Sequence, residues 1–407
     1  MTPQLAFPRR WFAPLALAAS TMLLAACGGG GSDSATGSPT ASPASYTTGR
    51  ISGFGSVIVN GVRFNDSKVK IRYSDNVIEN PEDGASKLAL GMVVEIKAGR
   101  IDDSTARGDA SEIVVRSEIK GPVEAVNAAA GTLTVLGQLL RVDAATVYED
   151  TSGLAALSVG SLVEVYAVPS TGGALLATRI EAKASLGAYK LRGTVASLDT
   201  TVKTFRIGNA LISYAGVAAP AGLKDGAFVK VKLATVRVAG AWVASKIRLG
   251  EREIEVENHG EAEVDGQVSG FVNLASFKVA GVPVDASGSA VVFAGGTAAD
   301  VTNGARVEVE GSLFNGVLVA TKVKIENGDE QQEREVELHG AITSVDTVAR
   351  TFVLRGVTVA WNDTTQFRGI TAAGIVIGPN GGPKVEVKAY LAAGGASVVA
   401  DKISAED

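Results

Sequence analysis

The chain holds few residues suited to chemistry. Among 407 residues stand two histidines, His259 and His339, and a single cysteine, Cys27. Each histidine precedes a glycine and follows an acidic strand, in Glu255-Val256-Glu257-Asn258-His259-Gly260 and Glu335-Val336-Glu337-Leu338-His339-Gly340. An imidazole beside carboxylates is a ligand set for a divalent ion. One histidine per place is too few for a strong site, so a repeated joint sequence with an exposed imidazole is the favoured reading. The acidic stretches Glu251–Asp265 and Glu326–Glu337 do not follow the twelve-residue calcium-loop spacing. They read as solvated connectors whose mutual repulsion keeps neighbouring modules apart. No metal and no other cofactor is expected.

Other chemistries lack their signatures. The nucleophile elbow Gly-x-Ser-x-Gly and the phosphate loop Gly-x-x-x-x-Gly-Lys-Ser/Thr are absent. Arg107-Gly108-Asp109 spells an adhesion tripeptide, but it stands where other parts of the chain begin a strand, and coincidence is the better account. Trp242 and Trp361 fall at non-equivalent places and read as core or edge packing, not as stacking platforms for bases. No catalytic constellation emerges, and the chain is read as a non-enzyme.

Cys27 has a clearer meaning. Arg9 and Arg10 form a short cationic start, and Trp11 to Ala26 is uncharged and mostly apolar. The apolar run is short for a membrane span and ends in small residues, as secretory signals do. Its end, Leu24-Ala25-Ala26-Cys27, resembles the bacterial lipobox. The resemblance implies a signal peptide over 1–27 and lipidation of Cys27. Several acyl chains on one terminus hold a protein to a bilayer far better than one. No Asp follows directly, Gly28 to Gly31 coming first, which points to the outer rather than the inner membrane. Residues 28–48, rich in Gly, Ser, Thr, Ala and Pro, read as a flexible tether of roughly 25 Å mean span.

Without residues 1–27 the chain carries 36 Lys and Arg against 43 Asp and Glu, a net charge of −7. That balance disfavours polyanions, so nucleic acid is excluded as a partner. The lone cysteine allows no internal disulfide.

The remainder is repetitive. Ala-x-x-Ile/Val recurs as Ala110/Ile113, Ala177/Ile180, Ala244/Ile247, Ala320/Val323 and Ala400/Ile403. Upstream lies an apolar-x-x-Gly-x-x-Val-x-Val/Ile string: Leu88-Gly91-Val94-Ile96, Leu157-Gly160-Val163-Val165, Leu223-Gly226-Val229-Val231 and Val301-Gly304-Val307-Val309. The fifth copy runs from Ile375 and Gly378 to Val385 and Val387 across an insertion near Asn380 to Pro383. A third string opens the later copies: Gly121/Leu133, Gly193/Phe205, Gly266/Phe277 and Gly340/Phe352. The first copy differs, reading Gly53 to Phe64 (GFGSVIVNGVRF). The strings divide the chain into five β modules, 49–120, 121–192, 193–265, 266–339 and 340–407.

Within a module apolar residues alternate, as in Val163-Glu164-Val165 and Val307-Glu308-Val309, the mark of a strand with one wet face. Aromatics make up only 5% of the chain, so valine carries the interiors. The second module divides into strands near 123–126, 132–135, 138–142, 162–167 and 174–182, with a long connection after the third. That order is the OB pattern. The fold expected is all-β: tandem small OB-like antiparallel barrels, each with its own valine-rich core.

These strings resemble the domain-of-unknown-function 5666 family of tandem modules in exported bacterial lipoproteins. The resemblance covers nearly all of 49–407 and implies OB-like barrels, with no activity or catalytic residues to carry over. The expected function is a lipid-anchored cell-envelope protein, a non-catalytic spacer or docking protein. Its partners would be the membrane and an envelope protein that adds a strand to an exposed sheet edge. The alternative is a periplasmic or surface binding module for a small ligand, glycan or cation.

Overall fold

The computed structural model describes residues 44–67, 69–74, 88–102, 104–170, 174–255, 261–326, 334–379, 381–392 and 398–406. Cys27 and His259 lie outside them.

The second module shows the plan. Its first strand, Ile119–Asn127, pairs antiparallel with Thr132–Val135, which pairs antiparallel with Gln138–Arg141. The fourth strand, Leu162–Pro169, lies antiparallel to both the first and the fifth, Leu175–Lys183. The fifth closes the barrel by parallel pairing with the third at Leu175↔Leu140. The order 1-2-3-5-4-1 is an OB barrel. Barrels opening with Ala44–Phe54, Tyr189–Asp199, Ala262–Asn273 and Glu335–Asp346 repeat it, each closed by the same parallel contact. Four modules add a short strand in the long connection: Lys70–Tyr73, Val147–Glu149, Val292–Ala294 and Gln366–Arg368, each parallel to the fifth strand.

Each recurrent string has a mechanical cause. Ala-x-x-Ile is a β-bulge. Ala110 faces Ala98 while Glu112 faces Lys97, which leaves Ser111 as the extra residue; Thr178, Ser245, Thr321 and Asp401 take that place in the other modules. The bulge hydroxyls of Ser111, Ser245 and Thr321 donate to the carbonyls of Lys97, Lys232 and Glu310. Gly91, Gly160, Gly226 and Gly304 turn the chain into strand four with φ of +78° to +93°, a region costly for other residues. Their N–H groups donate to carbonyls of strand one, at Ile51, Val123, Val195 and Val268.

The opening glycine answers a different need. Strand one there crosses the hairpin of strands two and three at close range. A Cβ on Gly121 would stand 2.6 Å from Leu136 Cγ, and one on Gly193 would collide with Ile207.

Register corrects two assignments. In the first module the opening glycine is Gly49, paired with Val94 as Gly121 is with Val163; it is not Gly53. In the fifth it is Gly382, not Gly378, that precedes strand four. Pro383 O accepts from Ile342 N as Ala305 O does from Val268 N, so the insertion falls before the glycine and leaves its spacing to Val385 intact.

Three larger expectations also change. Residues 28–48 are not all tether: Ala44–Phe54 is strand, and Tyr46 is wholly buried, because this segment pairs with both Val93–Ala98 and Ala262–Asn273. The modules do not each keep a private interior. Buried side chains merge into one cluster for modules one and five that also takes in Tyr166 and Val168 of module two, one for modules two and three, and one for module four with Ala44, Tyr46 and Val114. Sheet edges are spent inside the chain, since strand one of module one adds in parallel to the first strands of modules four and five. We expect Gly193→Val to lower folding stability by about 1–3 kcal/mol through overpacking against Ile207, read as a lower melting temperature.

Candidate functional site

Alternation along strands one and four sets one outward row per module. The residue before the opening glycine faces the central residue of Val-x-Val. The pairs are Thr48/Glu95, Lys120/Glu164, Arg192/Lys230, Asp265/Glu308 and His339/Glu386. On an isolated barrel this row would be wet. Here neighbouring modules cover it.

Glu95 is fully buried, and its carboxylate accepts from Arg116 Nη1 at 3.1 Å and from the backbone N–H groups of Glu253 and Ile254 at 2.8 and 2.9 Å. Glu253 in turn pairs with Arg192 Nη1 at 2.7 Å and Lys230 Nζ at 3.0 Å, and Arg72 donates to its carbonyl at 2.6 Å. Arg116 and Arg192 share Glu118. Burial pulls the Glu95 carboxyl upward, but the surrounding guanidiniums and the Ile254 N–H win and hold it below the ordinary carboxylate range. Residues 251–254 are therefore docked onto modules one and three. They are not a repulsive spacer: Arg192 and Lys230 pair with Glu253, and Lys278 pairs with Glu251 at 2.8 Å. The stretch 327–333 lies outside the described residues.

His339 is not the exposed imidazole expected. Its Nδ1 lies 2.5 Å from Glu406 Oε1, and its Nε2 lies 2.9 Å from Glu337 Oε1 and 3.1 Å from Arg63 Nη1. Arg63 Nη2 also donates to Glu337 at 2.6 Å. Glu337, His339 and Glu386 bring one ligand atom each within 4.8 Å of one another, a metal-compatible spacing. Arg63 of module one, however, supplies positive charge at that point, and Gly55 packs so closely that a Cβ would strike His339. The cluster fits a latch between modules one and five better than an ion site. The hydrogen bond to Glu337 raises the His339 pKa. Glu337, despite burial, is brought down to about 2 by His339 and Arg63.

Module four pairs two like charges, as module three does with Arg192 and Lys230, and Lys324 joins its Glu308 at 3.3 Å. Its pair sets an acid against an acid, and beside it opens a cleft shared by modules one, two and four. The larger lobe holds about 330 Å³ and is lined by Arg50, Ser52, Thr178, Gln267, Arg306 and Glu326, among others. A smaller lobe of about 150 Å³ shares Asn60 and Arg306 and reaches Glu263, Asp265, Glu308 and Lys324. Asp265 is only 5% exposed. Its Oδ2 accepts from Asn60 Nδ2 at 3.0 Å, while Oδ1 has no hydrogen bond. The nearest cation, Arg306 Nε, is 4.0 Å from that oxygen and also lacks a partner; Arg306 is held instead by Nη2 donating to Asn60 O at 2.6 Å. Burial pushes the Asp265 pKa up to about 7, and Glu308 and Glu326 push the same way, against Arg306 and Asn60.

The remaining sequence candidates lie elsewhere. Arg107–Asp109 begins a strand, and Asp109 accepts from Asn65 at 3.1 Å. Trp242 and Trp361 are buried, Trp242 edge-on to Tyr189 and Trp361 against Phe352. Sequence reading placed Asp265 at the end of the solvated acidic stretch Glu251–Asp265 and so missed its burial.

A group whose folded pKa is raised favours the fold below its ordinary value and loses that contribution as pH rises through the folded value. Asp265→Asn should therefore gain in melting temperature over the parent as pH rises from 4 to 8, with no advantage at pH 4. Glu95→Ala strands Arg116 and the N–H groups of residues 253 and 254, and should cost about 3–5 kcal/mol in denaturant unfolding.

Three segments, residues 120–181, 265–324 and 339–404, match a family described as a domain of unknown function (DUF5666). They correspond to the second, fourth and fifth barrels. Among solved structures, the chain titled drosophila Unr CSD456 is similar at 16% identity, over 40% of this chain and 79% of its own, with a TM-score of 0.15. No curated protein matches.

Proposed function

We propose, from a chain that carries repeated DUF5666 domains, that it is a lipid-anchored cell-envelope protein without catalytic activity, a docking platform for an envelope protein. The observation that carries this reading is the buried Glu95 hub. It ties modules one and three and the 251–254 connector into one body, and ion pairs of this kind resist bending between modules. Interlocked barrels suit a platform of defined shape better than an extended spacer. Lipidation at Cys27 would hold the platform at the membrane, on the outer-membrane side by the residues that follow it. A second reading is a binding module for a small ligand, glycan or cation; the cleft beside Asp265 favours it.

The test has two arms. In cells fed an alkyne fatty acid, the parent chain should label and sediment with membranes, and Cys27→Ser should do neither. Crosslinking in intact envelopes, mapped by mass spectrometry, should return the same envelope protein in replicate, joined to residues within 44–406. Labelling that survives Cys27→Ser, or crosslinks that never repeat, would refute the anchor or the docking role respectively.

A further inference from the structure

We infer that strand five of module three, over Ala244 to Arg248, takes an extended acidic segment of an envelope protein as an added parallel strand. The inference rests on the docking reading above and names the edge and the partner's chemistry. Four modules cover this stretch of strand five with the short strand of their long connection. Module three has none. Its connection, residues 214–227, is 14 residues long, against 20 for 142–161 in module two and 20 for 286–305 in module four. It forms neither a strand nor a helical turn, whereas modules two, four and five also place a helical turn there, at Leu154–Ala156, Ala298–Asp300 and Ala372–Gly374. Strand five meets strand three at Trp242 and Val243. Beyond that contact, among the described residues, no backbone hydrogen bond reaches 244–248 from the connection. Gly222 marks the end of the open stretch, since a Cβ there would stand 3.3 Å from Leu249 Cδ1. A strand edge with unpaired N–H and C=O groups is a template for another strand.

The covered modules show what belongs in the slot. Ile71, Tyr148, Phe293 and Phe367 lie opposite Ile113, Ile180, Val323 and Ile403, which are wholly buried. Ile247, their counterpart, is 8% exposed. The slot therefore lacks a central apolar or aromatic residue. In modules one and two the next residue of the short strand carries a charge matched to strand five: Arg72 meets Glu112 at 2.7 Å, and Glu149 pairs with Arg179. Lys246 holds the place of Glu112 and Arg179 in module three. On strand four it faces Lys232, and Arg248 faces Lys230. Like charges directly opposite destabilise a sheet. Lys232, Lys246 and Arg248 are exposed and form no ion pair among the described residues. An Asp or Glu just past the central residue of an added strand lies opposite Arg248 and reaches back to Lys246, as Glu149 lies opposite Glu181 and reaches Arg179. In strand addition the main chain supplies affinity and the side chains supply specificity. A second copy of this edge would set Lys246 and Arg248 against their own kind, so the occupant is a different protein.

The probe is the end-blocked peptide Ala-Thr-Val-Tyr-Glu-Asp-Thr, the sequence of residues 145–151. It would be titrated into the full lipidated chain in detergent, with fluorescence anisotropy for binding and hydrogen exchange for place. A scrambled peptide and one with Lys-Lys in place of Glu-Asp form separate arms. The acidic peptide should bind and slow amide exchange within 244–249 by ten-fold or more. Lys246→Glu with Arg248→Glu, both on exposed side chains, should weaken it at least ten-fold and admit the Lys-Lys peptide instead. No binding, equal binding of the scrambled peptide, or protection that falls outside 244–249 would overturn the assignment. The same double variant would be crosslinked in intact envelopes. Loss of the partner found with the parent chain would support the edge; a partner retained would overturn the edge and leave the docking reading standing. No partner with the parent chain would remove the docking reading, and the peptide arms would still decide the edge.

Discussion

A carboxylate with no access to water must be fully compensated or it will not stay charged. Glu95 meets that condition with one guanidinium and two backbone N–H groups, and two of those three donors belong to the connector between modules three and four. The connector cannot leave without stranding the charge. Its own carboxylate, Glu253, is likewise committed to Arg192 and Lys230. The placement of module four against module one follows from this chain of obligations, and so does the parallel pairing of Ala44–Thr47 with Ala262–Asp265.

The barrels are nearly interchangeable inside and different outside. Their strand-four valines, turn glycines and bulged Ala-x-x-Ile strings recur because each solves a backbone problem set by barrel closure. The outward row is free of that constraint, and there the five copies diverge: Glu95, Lys120 with Glu164, Arg192 with Lys230, Asp265 with Glu308, His339 with Glu386. Opposite charges at these places join particular neighbours and penalise wrong ones, because a mismatched joint buries an unpaired ion. Repetition supplied the barrels, and variation at one register position tells each which partner to take.

Where that scheme has a cation at every joint, the polar groups are consumed in holding the body together. Module four sets two acids in register there; Lys324 takes Glu308 at 3.3 Å, Arg306 stands 4.0 Å from Asp265, and a cleft opens beside them. The outward row thus seals some joints and, in module four, borders a cleft.

The period-two alternation, the turn glycines and the Ala-x-x-Ile strings were enough, in the amino-acid order alone, to establish an all-β chain of five OB-like barrels, since these features are local consequences of strand and turn geometry. Strand limits in the second module were legible to within a few residues for the same reason. Burial of Tyr46, the true opening glycine at Gly49 and the docking of residues 251–254 were not legible, because each depends on contacts across long stretches of chain. Asp265 makes the point most sharply. The sequence put it in a solvated acidic stretch, and it is buried by the pairing of Thr47 with it and by Asn60, from a module some two hundred residues earlier.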